Sequence, residues 1–257
     1  MPGRAQGNFT KAIEKRSKTS KSRIILALDL DYRNNTSKLL SDAESMVRKT
    51  SEYLCAVKLN FHLILPLSLS ELSKLNRTIE SNQLTTIADI KLNDIDNTNR
   101  VASEYLWKAG FSALIANPFV GYENGLDVVL KESRAIGKGV ILLAYMSHRG
   151  AEEGYGLRLE GGRTLHELFL ERAKSWKADG VIMGTTRPER IAEARAFLGR
   201  DVKILSPGSG AQGGDPIKSL KAGADYLIFG RGILESGNPK DSVRQIYRSQ
   251  LAWTETH

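Results

Sequence analysis

The 257-residue chain is poor in the residues that define several protein classes. It has one cysteine, four histidines and seven prolines. A lone thiol, Cys55, cannot close an internal disulfide, which excludes a disulfide-stapled scaffold and points to a reducing compartment, the cytoplasm. No apolar run approaches the roughly 18 residues of a membrane span; Gly139–Met146 (GVILLAYM) is about the longest. An export signal is not expected either, because the basic N-terminus has no apolar core behind it. The histidines (His62, His148, His166, His257) show neither metal-ligand spacing nor a partner for a nucleophilic serine, so no metal is expected.

What is present is ordinary for a large globular domain. Hydrophobic residues make up 41% and charged residues 26% of the chain. Its length fits the roughly 250 residues of a (β/α)8 barrel. The net charge of +8 is concentrated at one end: residues 1–23 hold seven basic side chains and one acid, a net +6, leaving +2 for the other 234. A nearly neutral body argues against a nucleic-acid partner, and residues 1–22 read as a solvated, flexible basic extension ahead of a catalytic domain over 23–257. Deleting residues 1–20 is therefore expected to leave turnover unchanged.

After residue 23, short apolar or β-branched runs recur: Ile24–Leu30, Cys55–Leu59, Thr85–Lys91, Ala113–Asn117, Val140–Tyr145, Val181–Gly184, Val202–Pro207 and Tyr226–Gly230. Each is too short and too uniformly apolar for a surface helix, and reads as a strand buried on both faces. Between them lie segments with helical spacing. One opens with a capping box at Thr164 and Glu167, another with Asp215-Pro216, and Lys108-Ala-Gly110 and Lys221-Ala-Gly223 each end a helix before a strand. Eight such units predict a parallel barrel of the α/β class; a doubly wound open sheet is the structural alternative. In a barrel, chemistry belongs at the C-terminal ends of the strands.

Those ends carry charge. Asp29 lies in the first run, Lys58 in the second, and Asp89 and Lys91 in the third, with Asp94 just beyond. Alternation along a strand puts Asp89 and Lys91 on one face. An isolated charge at the mouth of an apolar barrel is too costly to keep, whereas alternating Lys and Asp satisfy one another, at about 4 kcal/mol per contact at 4 Å and an effective dielectric near 20. The last two strands supply a second cluster. Ser206–Asp215 (SPGSGAQGGD) is glycine-rich and Phe229-Gly-Arg-Gly232 follows, a pairing suited to a phosphate because glycine amides approach an anion closely and Arg231 adds a bidentate contact. Gly208-Ser-Gly210-Ala-Gln-Gly213 also matches G-x-G-x-x-G, but it does not follow a first strand as a dinucleotide fingerprint does. The connection Ser147–Arg163 is long and carries five glycines, as a lid that closes on ligand would. Cys55 reads as core rather than nucleophile.

Asp89-Ile-Lys91-Leu-Asn-Asp94-Ile95 resembles the D-x-K-x-x-D-I signature of the orotidine 5′-monophosphate decarboxylase family. The likeness runs through Leu26-Ala-Leu-Asp29, Val57-Lys58, Met146–Ala151, Thr186–Arg190, Ser206–Asp215 and Gly230-Arg231, nearly the whole body of the chain, and is nearest to the shorter archaeal-type members. The resemblance implies a homodimeric barrel that converts orotidine 5′-monophosphate to UMP and CO2 without cofactor, the last step of pyrimidine nucleotide synthesis. It implies that Lys91 protonates the ring carbon, with Asp89, Lys58 and Asp94 completing the charge array. Asp94, Ile95 and Thr98 would reach the partner subunit's site. Asp29 and Lys58 would hold the ribose, Ser147 the base and Arg231 the phosphate, Gln212 would bridge base and phosphate, and Pro207 and Gly230 would also bind substrate. Two departures stand out: Asn117 replaces a common histidine, and Arg149 replaces the proline of Ser-His-Pro-Gly. The rival within the superfamily is a magnesium-dependent sugar-phosphate decarboxylase or aldolase, which needs an acid where Lys58 stands. A non-catalytic protein binding through its basic tail would not need the charge array intact.

Overall fold

The structure, a computed structural model, describes residues 7–31, 33, 35–208 and 215–255. Eight parallel strands close into a barrel in the order β1 (Ile24–Ala27), β2 (Ala56–Leu59), β3 (Thr85–Leu92), β4 (Ala113–Ala116), β5 (Gly139–Tyr145), β6 (Gly180–Met183), β7 (Lys203–Pro207) and β8 (Tyr226–Phe229). Every expected run overlaps its strand, with no end displaced by more than three residues; β3, β5 and β6 each reach one residue beyond the expected run. The closure of β8 onto β1, through Ile24 opposite Leu227 and Leu26 opposite Phe229, excludes the open sheet.

The helices are α1 (Asn8–Ser20), α2 (Thr36–Thr50), α3 (Phe61–Ile64), α4 (Leu69–Ser81), α5 (Asp96–Lys108), α6 (Asp127–Ala135), α7 (Ala151–Tyr155), α8 (Leu165–Ser175), α9 (Pro188–Leu198), α10 (Pro216–Lys221), α11 (Arg231–Leu234) and α12 (Pro239–Glu255). The punctuation read from the sequence places several of them. The Glu167 carboxylate accepts the Thr164 N–H at 2.6 Å, closing the start of α8. The Asp215 side chain accepts from the amides of Ile217 and Lys218 and opens α10. Gly110 and Gly223 end α5 and α10 with φ of +95° and +109°, a region costly for any residue with a Cβ.

Because side chains alternate along each strand, the barrel wall sorts its residues into two cores. Ile24, Leu26, Val57, Ala88, Leu114, Val140, Leu142 and Leu227 face out against the helices. Ile25, Ala27, Ala56, Ile87, Ile115, Ile141, Leu143, Ile182, Leu205 and Ile228 face in and fill the barrel.

The expected flexible extension is instead, over Asn8–Ser20, a helix docked on the N-terminal end of the barrel. Phe9 and Ile13 are 4% and 1% exposed and belong to the interior core, beside Cys55 and Tyr226. Phe9 lies so close to β5 that a Cβ on Gly139 would stand 2.5 Å from its ring. Polar contacts hold the rest of α1. Arg16 donates to the carbonyls of Ser51 (2.8 Å) and Leu54 (3.2 Å), Thr10 donates to Asp179 (3.3 Å), and Glu14 pairs with Lys203 at 2.6 Å. The sequence misled because its charge count dominates the segment, while two apolar residues four apart supply the docking face. Cys55 is fully buried and burial pushes its thiol far above the ordinary range, as a core position requires.

Candidate active site

Inward-facing side chains at the C-terminal ends of the strands change from apolar to charged. In β2 the inward series continues from Ala56 to Lys58, in β3 from Ile87 to Asp89, and after β1 from Ala27 to Asp29. Lys58 Nζ donates to Asp89 Oδ2 at 2.6 Å and stands 4.0 Å from Asp29 Oδ1. Lys91 Nζ donates to the other Asp89 oxygen, Oδ1, at 2.8 Å. One carboxylate thus sits between two ammonium groups at the mouth of the barrel.

Simple alternation finds the right residues in β3 but not its true geometry. Pairing with β4 shifts from Ala88 opposite Leu114 to Leu92 opposite Ala116, so four residues of β3 span two of β4. Lys91 lies in this bulge at φ +48°, a left-handed conformation that costs a side-chain-bearing residue of order 1–3 kcal/mol. From the bulge Lys91 lines the cavity, where it stays partly open to solvent while Lys58 and Asp89 are buried.

Burial alone would raise the Asp89 carboxyl; the ammoniums of Lys58 and Lys91 and their hydrogen bonds outweigh it and hold the group below the ordinary carboxylate range. A depressed folded-state pKa means that the ionised array adds stability above the unfolded value of about 3.9 and loses it as pH falls through the lower, folded value. Asp89→Asn is therefore expected to lower the melting temperature at pH 7, leaving two lysines facing a neutral amide. The gap from wild type should narrow below about pH 4. Thermal melts between pH 3 and 7 check this, and a gap that widens toward acid contradicts it.

The same cavity is lined by Ser147 beyond β5, Pro207 and Gly208 at the end of β7, and Gly230 and Arg231 beyond β8, over a floor of Ile115, Leu143, Ile182 and Ile228. Two features suit it to a polar ligand. Asp29 Oδ1 is buried and accepts no hydrogen bond among the described residues, and Arg231 forms no ion pair there. An acceptor at one wall and an uncommitted guanidinium at another can take a hydroxyl and an anion.

The structure brings together Asp29, Lys58, Asp89, Lys91, Ser147, Pro207, Gly230 and Arg231. It does not bring Asp94, Ile95 or Thr98 into this cavity; all three are exposed, Ile95 by 65%. Gln212 and most of the glycine-rich loop fall in residues 209–214, outside the described residues. Asn117 also stands apart from the cavity: its side chain accepts the Phe119 amide at 3.0 Å and caps the turn after β4.

Sequence reasoning missed two kinds of residue. Met146 and the apolar floor line the cavity but are indistinguishable in sequence from barrel core. Asn99 is fully buried at the start of α5 and braces the turn that carries Asp94. Its Oδ1 accepts the Asp94 N–H at 3.1 Å, and its amide donates to the carbonyls of Asp94 and Gly125. A polar side chain on the inner face of a helix was the available signal.

A closed parallel barrel with a Lys–Asp–Lys array at its C-terminal mouth and an arginine across the cavity defines a barrel enzyme for small anionic substrates. Comparison with known proteins narrows the class. The model of the Orotidine 5′-phosphate decarboxylase / HUMPS family matches residues 22–246, and the chain belongs to that family. It is 38% identical to the orotidine 5′-phosphate decarboxylase of Pyrococcus furiosus over 90% of this chain and 99% of that one. Among solved structures, it is similar to orotidine 5′-monophosphate decarboxylase from Methanocaldococcus jannaschii complexed with the inhibitor BMP (TM-score 0.73, 28% identity, 90% of this chain and 98% of the other). The fold is shared with the Leishmania donovani OMP decarboxylase at TM-score 0.83 and 22% identity, over 95% of this chain and 98% of that one.

Proposed function

We propose that the protein decarboxylates orotidine 5′-monophosphate to UMP and CO2 in pyrimidine nucleotide synthesis. The observation that carries the proposal is Lys91 Nζ, held 2.8 Å from Asp89 at the open end of the array, above an apolar floor and opposite Arg231. Breaking the bond between C6 and the carboxylate leaves its electron pair on a ring carbon with no cofactor to delocalise it. An ammonium fixed beside that carbon stabilises the developing charge and then delivers its proton to C6, while CO2 departs. Lys58 and Asp89 keep Lys91 oriented, so the stabilising charge is in place before the reaction.

The remaining roles follow from position. Asp29, with its open acceptor, and Lys58 take the ribose hydroxyls. Ser147 takes the polar edge of the base. Arg231 takes the phosphate beside Pro207 and Gly230; the role of Gln212, which lies outside the described residues, rests on the family resemblance alone. Binding the phosphate far from the reacting carbon lets remote interactions contribute to the transition state. The magnesium-dependent alternative has no supporting observation: the second-strand position where it needs an acid is Lys58, already hydrogen-bonded to Asp89.

The reading includes a homodimer in the cytoplasm. Asp94 is exposed beside an apolar face made by Ile95 (65% exposed), Val101 (44%) and Tyr105 (56%). A second copy covering that face would carry Asp94, Ile95 and Thr98 to the neighbouring array. No helix among the described residues is long and apolar enough to cross a membrane.

The deciding experiment follows the ultraviolet absorbance of orotidine 5′-monophosphate after addition of purified protein, with EDTA present throughout. Chelator-insensitive turnover is expected. Folded protein that leaves the substrate intact, yet acts on sugar phosphates once magnesium is added, overturns the proposal.

A further inference from the structure

One carboxylate outside the cavity ties down the loop that carries Ser147. Tyr145, the last residue of β5, is 2% exposed, and its hydroxyl donates to Glu152 Oε2 of α7 at 2.7 Å. The other oxygen, Glu152 Oε1, stands 3.6 Å from Arg190 Nη2 of α9. Arg190 Nη1 lies 3.3 Å from His166 Nε2; a guanidinium only donates, so Nε2 accepts and the imidazole proton sits on Nδ1. That proton faces Thr164 Oγ1 at 2.7 Å and the Tyr155 carbonyl at 3.3 Å, at the start of α8 and the end of α7. Donors and acceptors alternate without conflict from α8 through α9 and α7 to β5, which is the condition for a polar network to be rigid.

The segment between Tyr145 and Glu152 contains Ser147. Its near end is fixed by backbone: Gly184 N–H donates to the Tyr145 carbonyl at 3.0 Å, and a Cβ on Gly184 would come within 2.7 Å of Ser147 Cα. Its far end runs through the exposed His148 and Arg149 to α7. The Glu152 carboxylate is the charged group that links this far end to both β5 and α9.

We propose that Glu152 is a positioning residue for base recognition: held between Tyr145 and Arg190, it fixes the loop so that Ser147 stands at the base end of the cavity. The proposal rests on the site reading above and adds a residue that never touches the ligand. Arg231 lies on the other side of the cavity and shares no contact with this network, so the clamp acts on the base end alone.

The test compares binding of UMP and of ribose 5-phosphate, which lacks the base, by calorimetry, alongside KM for orotidine 5′-monophosphate. Glu152→Ala is expected to weaken UMP binding and raise KM by about tenfold, the scale of one lost charge-assisted hydrogen bond, with ribose 5-phosphate affinity unchanged. Glu152→Gln, whose amide oxygen still accepts the Tyr145 hydroxyl, is expected to recover most of the loss. Arg231→Ala serves as the contrast and weakens both ligands. Should the alanine variant fail to fold, Tyr145→Phe, which deletes one hydroxyl, is expected to give the same split between ligands. Equal effects of Glu152→Ala on both ligands, or none on either, overturn the clamp while leaving the site reading intact, provided that the wild type turns over its substrate. A wild type that binds no UMP overturns both.

Discussion

Lys91→Ala is expected to lower turnover of orotidine 5′-monophosphate by at least about 10³-fold while leaving UMP binding measurable. Lys91 is the only lysine of the array whose ammonium is partly open to the cavity, 34% exposed against 7% for Lys58. It is also the residue held in the left-handed bulge of β3. Strain of that kind persists only where surrounding structure enforces it, and here the enforcement comes from Asp89, pinned from its other side by Lys58. In the proposed mechanism, removing Lys91 takes away the proton donor and the charge that stabilises the carbanion together. Ligand binding persists because Asp29, Ser147 and Arg231 hold the parts of the molecule that do not react. Single-turnover kinetics with saturating substrate separates the two effects. Residual turnover within tenfold of wild type would remove Lys91 from the donor role, and a parallel collapse of UMP affinity would make it a binding group instead.

Phe9→Ala is expected to destabilise the protein by about 3–5 kcal/mol, the usual result of emptying a buried aromatic site. For a domain of this size that corresponds to a fall in melting temperature of roughly 6–20 °C. Phe9 plugs the end of the barrel opposite the active site, so its loss opens the interior to water at the layer of Cys55 and Tyr226. Deleting residues 1–20 removes Ile13 and the Arg16 hydrogen bonds as well, and is expected to cost more. Activity per folded molecule, assayed well below the melting temperature, should stay near wild type in both variants, because no residue of α1 lines the cavity. Unchanged turnover is thus still the expectation, while residues 8–20 form a packed helix rather than the flexible tail expected from sequence. Calorimetric melting temperatures unchanged within about 2 °C would show that α1 only rests on the barrel.

The fate of these two regions shows what a linear sequence can determine. Strand identity was legible because a strand buried on both faces must be apolar throughout, and eight such runs separated by helical segments leave few alternatives to a closed parallel barrel. Asp29, Lys58, Asp89 and Lys91 were legible as a set because charges at the ends of otherwise apolar strands are too costly to tolerate without mutual neutralisation. Other features depend on contacts between residues distant in sequence. Alternation could not reveal the bulge at Lys91, which exists only in the pairing of β3 with β4. Composition could not dock α1, since two large apolar side chains among four basic ones stabilise a helix only when a barrel interior is there to receive them. Nothing local marks Glu152 as different from its neighbour Glu153 either; its partners, Tyr145 and Arg190, come to it from β5 and α9. The sequence by itself determined the barrel and the chemistry at its mouth, because burial and charge neutralisation act residue by residue. Only the tertiary structure decided how those groups are aimed, because aim is a property of the distances between elements.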